Sequence, residues 1–536
     1  MRLILAFPLI ASLTLACGVA QSPQPAAQGD STPKYGGTLK ARHTLDPYDW
    51  DVTYTGKAVG NREPRALASN SLLGFRAGPD IDYNQAVIRP ELAERWEVSP
   101  DARTFTFHLR RGVKYPDIAP ANGREFTAAD VRFSFEYIAR TGEHAKLPTS
   151  NIGWMLEGLD RIDSPDPYTA IVRFKEPFAP FLNYVSHEFV YIMPREIFDR
   201  DGHFKNQVLG TGMFQLDDKA SQKGTRWVLK KNPGYWEPGR PYMDEVQMLV
   251  VPDDAAAAAA FQTKQIDLLE SVPPKDAEAL KAKAAGAVYF EYNENPLHVY
   301  INNSRPPFNN VKVRQALFHT VDRDEFIRVL GDGRGAWAVA GALPGTFTQE
   351  EIKAMVPKYD PAQSKRLLAE AGFPNGLTFE SQVASDRGSE DITRIELMQS
   401  QIARGGFAMT IKGIPYSQFS PMRKVGEHTL QLTNRDINAD VDSYIFATHH
   451  PSSGNNYDRI NEPKLNDLLI SQRREADPAK RLEIIRQAVR YLVTECFCGL
   501  AVHAGSNFDF WQPSLKNYRP NWHHNGWSIE ESWLEK

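Results

Sequence analysis

The stretch Thr104 to Tyr115 alternates apolar Phe105, Phe107 and Leu109 with polar Thr106, His108 and Arg110, a period of two that predicts a half-buried strand closed by Gly112. Thr127 and Asp130 then form a Thr-x-x-Asp start, and Val131, Phe135 and Ile138 recur at helical spacing, so a helix with one apolar face follows. Two further helices announce themselves by Asp-Pro. Asp360 before Pro361 supplies an N-cap and a first-turn proline, with Gly372 as the stop, and Asp477 before Pro478 opens AKRLEIIRQAVRYL in the same way. The alanine run 255 to 260 follows Asp253 and Asp254 and leads into Phe261, which reads as helix rather than low-complexity sequence. Asn232-Pro233-Gly234 predicts a turn with Tyr235 and Trp236 as core anchors. Arg314, beside Val313, Ala316 and Leu317, reads as half of a helix-face ion pair. Strands alternating with helices, without a fixed repeat, place the chain among α/β or α+β layered folds.

Bulk properties narrow the picture. A chain of 536 residues exceeds one ordinary core, so two or three domains are expected. A composition of 42% hydrophobic and 24% charged residues is that of a folded protein. A net charge of −4 gives no electrostatic case for nucleic acid, which needs a basic face. Ten Trp and twenty Tyr suit clefts that hold ligands.

The N-terminus points to export. After Met1 and Arg2 come fourteen uncharged residues, LILAFPLIASLTLA, and then Cys17, which is the layout of a secretory signal and too short for a stable span. Thr14-Leu15-Ala16-Cys17 resembles a bacterial lipobox, in which Cys17 would be lipidated and become the new N-terminus. Cleavage after Ala20 is the alternative. The segment 18–34 is small, polar and Pro-bearing, as a tether would be. No later run of about eighteen apolar residues predicts a membrane span.

Chemistry-bearing motifs are sparse. There is no G-x-S-x-G, H-E-x-x-H or G-x-x-x-x-G-K-[ST], and GDGRGAW at 331 to 337 follows a helical pattern and reads as a turn. No catalytic residue and no cofactor are therefore assigned. His449-His450 and His523-His524 are adjacent pairs whose side chains diverge on a strand, and no H-x-x-x-H or C-x-x-C spacing accompanies them, so no metal site is read. On a strand, Cys496 and Cys498 would face one side about 6.6 Å apart, at the edge of disulfide reach. Two apolar core thiols are expected, with a bridge or metal pair as the alternative. In RDINADVDSYIF, residues 435 to 446, a calcium loop fails because Ser443 stands where Gly is required and His449 where the closing Glu belongs. Asp440 and Asp442 read as caps of an element starting at Ser443.

Six segments in fixed order carry a family resemblance: YGGTLKARHTLDPYDWD; LAERWEVSPDARTFTFHLRRGVKYPD with GREFTAADVRFSFEYI; GTGMFQLDD with LKKNPGYWEPGRPYMDEVQM; PPFNNVKVRQALFHTVDRDEF; YDPAQSKRLLAEAGFPNG; and LNDLLISQRREADPAKRLEIIRQA. The chain resembles family 5 of the extracellular solute-binding proteins of bacterial ABC importers, the oligopeptide-, dipeptide- and nickel-binding type, from about residue 33 to about 515. The resemblance implies an α/β, periplasmic-binding-protein-like bilobed clamp (type II, three-subdomain form) with a hinge between lobes. It implies lobe I at 35–60, 190–277 and 504–536, an inserted subdomain at 61–189, lobe II at 278–503, and crossover strands near 275 and 505. The implied function is capture of a peptide or similar polar organic solute and its delivery to ABC permease subunits. A nickel chelate or an oligosaccharide on the same fold is the alternative, and a secreted hydrolase a distant one. The protein would be a monomer in the periplasm or on the outer face of the cell membrane, held there by lipid if Cys17 is modified.

Site residues follow from the same resemblance. In peptide-binding members a second-lobe aspartate after a strand pairs with the ligand's α-ammonium, and the matching segment is QLTNRDINADVDSYIF. Asn434, Arg435 and Asp436 occupy the place after the strand, with Asp436 as the anchor if one residue is inserted before the Asp440, Asp442, Tyr444 tail. Arg435 could instead take a substrate carboxylate or neutralise Asp436. Arg387, in VASDRGSED, matches a loop that supplies cleft residues and could fork onto a carboxylate. His43, Thr44 and Leu45 match a first-lobe segment that meets ligand through its backbone.

Overall fold

Local chemistry shapes the elements much as the pattern predicts. The computed structural model describes residues 32–47, 49–55, 59–386, 389–435, 439–523 and 527–535. The strand Thr104–Leu109 alternates half-buried and buried positions. The helix Ala128–Ala139 begins at Thr127, whose backbone N–H donates to Asp130 at 2.9 Å in a capping box. Phe133, Ser134 and Tyr137 are buried there beside Val131, Phe135 and Ile138, so the helix is wrapped on more than one face. Asp253, Asp360 and Asp477 cap Asp254–Gln262, Pro361–Glu370 and Pro478–Arg490. Gly372, at φ 94°, occupies the left-handed conformation that stops the second of these.

An eight-stranded sheet organises the molecule. Its order is Val288–Asn293, His503–Trp511, Leu268–Val272, Thr38–His43, Glu245–Val250, Arg226–Lys231 and Phe214–Leu216, and Gly335–Trp337 pairs with the start of His503–Trp511. Thr38–His43 runs parallel to Glu245–Val250 and Leu268–Val272, and the other pairings are antiparallel. One core, including Leu39, Ala41, Met248, Leu268 and Trp527, lies against this sheet.

Two further cores are separate. A four-stranded antiparallel sheet, in the order Ala93–Val98, Thr104–Leu109, Thr169–Phe174, Leu159–Asp166, encloses Phe105, Phe107, Phe126, Phe135 and Phe181. A third core gathers Val299, Ile301, Leu317, Met398, Leu430 and Leu492 around the strands Leu430–Asn434, Leu297–Ile301 and Leu500–Ala501 and the parallel pair Leu377–Ala384 and Phe407–Ile414. The chain leaves the large sheet by Leu268–Val272 and Val288–Asn293, builds the third core, and returns through His503–Trp511. The result is a bilobed clamp with adjacent crossover strands as its hinge.

Three local expectations change. Arg314 makes no ion pair among the described residues: it is buried and donates to the carbonyls of Phe308 (2.9 Å), Cys496 (2.8 Å) and Phe497 (3.2 Å). A guanidinium fork meets several carbonyls left over where the chain ends a helical turn. Cys496 and Cys498 are joined as a disulfide with Cα atoms 5.2 Å apart, because the chain bends out of a helical turn there instead of extending. Asp440 and Asp442 cap less than expected. The helix is Asp442–His449, with Val441 in the cap position; Asp440 accepts from the Asp442 N–H at 2.8 Å, while both carboxylates are chiefly ion-paired, to Arg481 and Arg473.

Candidate ligand-binding cleft

Where the crossover strands meet the second lobe they border a cavity of about 660 Å³, within the range of small-molecule sites. The strand Leu268–Val272 carries a register break opposite His503–Trp511 between Leu269 and Val272, and Ser271 inside it takes φ 57°. Such a bulge re-aims side chains beside a site. The Ser271 N–H turns to Asp509, donating at 2.9 Å, and Tyr292 donates to the same carboxylate oxygen at 3.1 Å. Glu270 lines the cavity and accepts from Trp527 Nε1 at 2.8 Å. Glu294 lines it from the end of the neighbouring strand and accepts from Asn434 at 2.8 Å.

Electrostatics sets these acids apart. Burial, then the nearby charges of Asp509 and Glu63, push the Glu270 carboxyl up to about 8. Burial pushes Asp509 up to about 6 against the hydrogen bonds of Ser271 and Tyr292. The two carboxyls interact, so these protons belong to the pair. Burial also raises Glu294. Glu63 is the contrast: burial pushes it up, but Arg62 and His43 outweigh this and hold it at about 2. Among the described residues, Glu270, Glu294 and Asp509 have no ion-pair partner, whereas cleft-lining Asp254 pairs with Arg42, and Glu390 and Asp391 with Arg394. Tyr83, Tyr292, Tyr518 and Trp522 complete an aromatic wall, with the Tyr83 and Tyr292 ring centroids 5.2 Å apart.

Of the residues singled out from sequence, Thr44 and Asn434 line this cavity. His43 is buried, its Nε2 2.9 Å from Glu63 and its Nδ1 2.6 Å from the Leu45 carbonyl. The Leu45 side chain is exposed. Arg435 turns into the lobe, donating to Thr448 Oγ1 at 2.8 Å and to the Ser443 carbonyl at 3.3 Å. Asp436, Arg387 and Cys17 lie outside the described residues. Sequence reasoning missed Glu270, Glu294 and Asp509. A signal existed at Asp509, an acid set between the aromatic residues Phe508 and Phe510. Among the described residues no helix is long and apolar enough to cross a membrane.

A hinged clamp with a polar, aromatic-walled cleft between lobes is the architecture of a solute-binding protein. Residues 87–457 match the family described as bacterial extracellular solute-binding proteins, family 5 middle, and the chain belongs to that family. It is similar to the dipeptide-binding protein of Escherichia coli K12, at 27% identity over 78% of this chain and 80% of that one. It is also similar to heme-binding protein A of Haemophilus influenzae, at 27% identity over 90% of this chain and 91% of that one. Among solved structures, the periplasmic binding protein DppA of Helicobacter pylori in complex with the peptide STSA shares the fold, with TM-score 0.80 and 23% identity over 94% of this chain and 99% of that one. The protein is thus a bacterial extracellular solute-binding protein.

Proposed function

We propose that the cleft takes a polar organic solute of peptide type that carries a protonated amine or guanidinium. The observation that carries this reading is the set of three carboxylates, Glu270, Glu294 and Asp509, facing one cavity without an ion-pair partner among the described residues. Carboxylates withdrawn from water are costly unless a cation meets them. Tyr83, Tyr292, Tyr518 and Trp522 offer ring faces to the ligand's body and to its charge. The dipeptide-binding relative and the peptide-bound structural neighbour support a peptide ligand. Asp436, two residues beyond cleft-lining Asn434, joins the proposal through the family resemblance as a second-lobe anchor for an α-ammonium, with Arg387 as a carboxylate partner.

The lobe boundaries are those given above, catalysis is no part of the function, and the protein works as an exported monomer anchored through lipid on Cys17. Closure on ligand is favoured by as much as the ligand's differential affinity for the closed state. Native mass spectrometry of the mature protein tests the ligand class: a retained mass belonging to an amine-bearing solute supports it, and a retained ligand without a basic group overturns it.

A further inference from the structure

Away from the cleft, His298, His449 and Asp458 meet inside the second lobe, all three completely buried. They come from distant parts of the chain: a strand, the last residue of the helix Asp442–His449, and the loop that follows. His298 Nε2 lies 2.8 Å from Asp458 Oδ2, and His449 Nε2 lies 3.8 Å from the same oxygen. One ligand atom from each falls within 4.8 Å of the others.

The hydrogen bonds around the trio leave one anomaly. His449 Nδ1 is 2.9 Å from the Ile445 carbonyl, which can only accept, so the proton sits on Nδ1 and Nε2 presents a lone pair. Among the described residues that Nε2 has no hydrogen-bond partner, and it faces a carboxylate oxygen. Two acceptors opposed in a dry interior are unfavourable unless something positive lies between them. His298 can adapt. Its Nδ1 is 3.0 Å from the Tyr444 hydroxyl, which accepts as readily as it donates, so moving the proton to Nδ1 frees Nε2 as a ligand. Asp458 is held by its other oxygen, which accepts from the Ile301 N–H at 2.9 Å. Each donor thus has the outer partner that orients metal ligands.

We propose that His298 Nε2, His449 Nε2 and Asp458 Oδ2 form a resident site for a divalent d-block cation, zinc being the best chemical match. Two imidazoles and a carboxylate suit zinc rather than calcium or magnesium, which prefer all-oxygen shells. Tetrahedral bonds of about 2.0 to 2.1 Å place donor atoms about 3.3 Å apart, and the observed 2.8 and 3.8 Å bracket that spacing. Gly499 keeps room beside the site, since a Cβ there would lie 3.3 Å from His449 Nε2. Three protein donors leave a fourth position for water. Buried as it is, the ion ties strand, helix and loop together and performs no chemistry.

The test uses the full mature protein, stripped with a chelator and titrated with Co²⁺. The expected result is one Co²⁺ per chain with tetrahedral ligand-field absorption, displaced by one equivalent of Zn²⁺, and affinity at least about tenfold weaker in His449→Ala and Gly499→Ala. Wild-type protein without such a spectrum overturns the site, as does uptake equal in wild type and folded His449→Ala, which would mark surface histidines. Should His449→Ala fail to fold, X-ray absorption of the wild-type complex decides alone: two imidazole donors support the site, and fewer overturn it.

Discussion

Tyr184 donates its hydroxyl to Asp442 Oδ2 at 2.7 Å, joining the core built on the four-stranded sheet to the second lobe through a fully buried contact. Asn183 does the same with Asp440 at 2.6 Å, and Arg481 and Arg473 hold the two carboxylates from behind. Asp440 and Asp442 thus form a seam between that sheet's core and the second lobe. Burial works against the Asp440 carboxylate, but Arg481 outweighs it and holds its pKa low.

Breaking this seam costs stability in proportion to what is left unpaired. Asp442→Asn takes the buried carboxylate from Arg473, which keeps Glu157 at 2.7 Å, and a loss of about 1.5 to 3 kcal/mol is expected. Tyr184→Phe removes one donor from a carboxylate still held by Gln472 and Arg473, costing about 1 kcal/mol. Urea unfolding of both variants checks the order. Equal losses would show that Tyr184 and Asp442 do not act as described.

Arg314→Leu is expected to destabilise by about 1 to 3 kcal/mol, because the carbonyls of Phe308, Cys496 and Phe497 lose their donor in a buried setting. Arg314→Lys recovers only part of this, since one ammonium cannot reproduce the planar fork. Thermal unfolding that is unchanged in both variants would contradict the role.

How far the sequence reached depends on the range of each interaction. Helix starts at Thr127, Asp253, Asp360 and Asp477 were legible because a cap and its target lie within three residues. The Asp442–Arg473 pair, the Cys496–Cys498 bend and the fan of carbonyls around Arg314 were not, since each depends on chain path. The site divides the same way. Thr44 and Asn434 follow from family-like segments. Glu270 and Asp509 face one another only because two crossover strands pair in antiparallel fashion with a bulge at Ser271. His298 and Asp458 are 160 residues apart, beyond any spacing motif.

Ligand affinity should depend on pH with a definite sign. Glu270 and Asp509 rise to about 8 and about 6 from ordinary values of 4.5 and 3.8. A bound cation favours ionised carboxylates and drives these protons off, so affinity climbs as pH rises through about 6 to about 8 and levels above. Stability of the empty protein runs the other way. Between the ordinary and raised values the folded form holds more protons than the unfolded form, so this pair's contribution is lost as pH rises. Calorimetric binding and thermal unfolding at pH 5.5 and 8.5 check both signs, and an affinity flat across that interval would contradict the assignment.

The most direct test of the central claim is calorimetric titration with two N-acetylated dipeptides of equal length, one carrying lysine and one carrying norleucine. Binding at one site per chain is expected to be at least about tenfold tighter for the lysine peptide, with the preference lost in Glu270→Gln/Asp509→Asn. Equal affinity for the two peptides in the wild type, or a preference untouched in the double variant, would contradict a cleft built around those carboxylates.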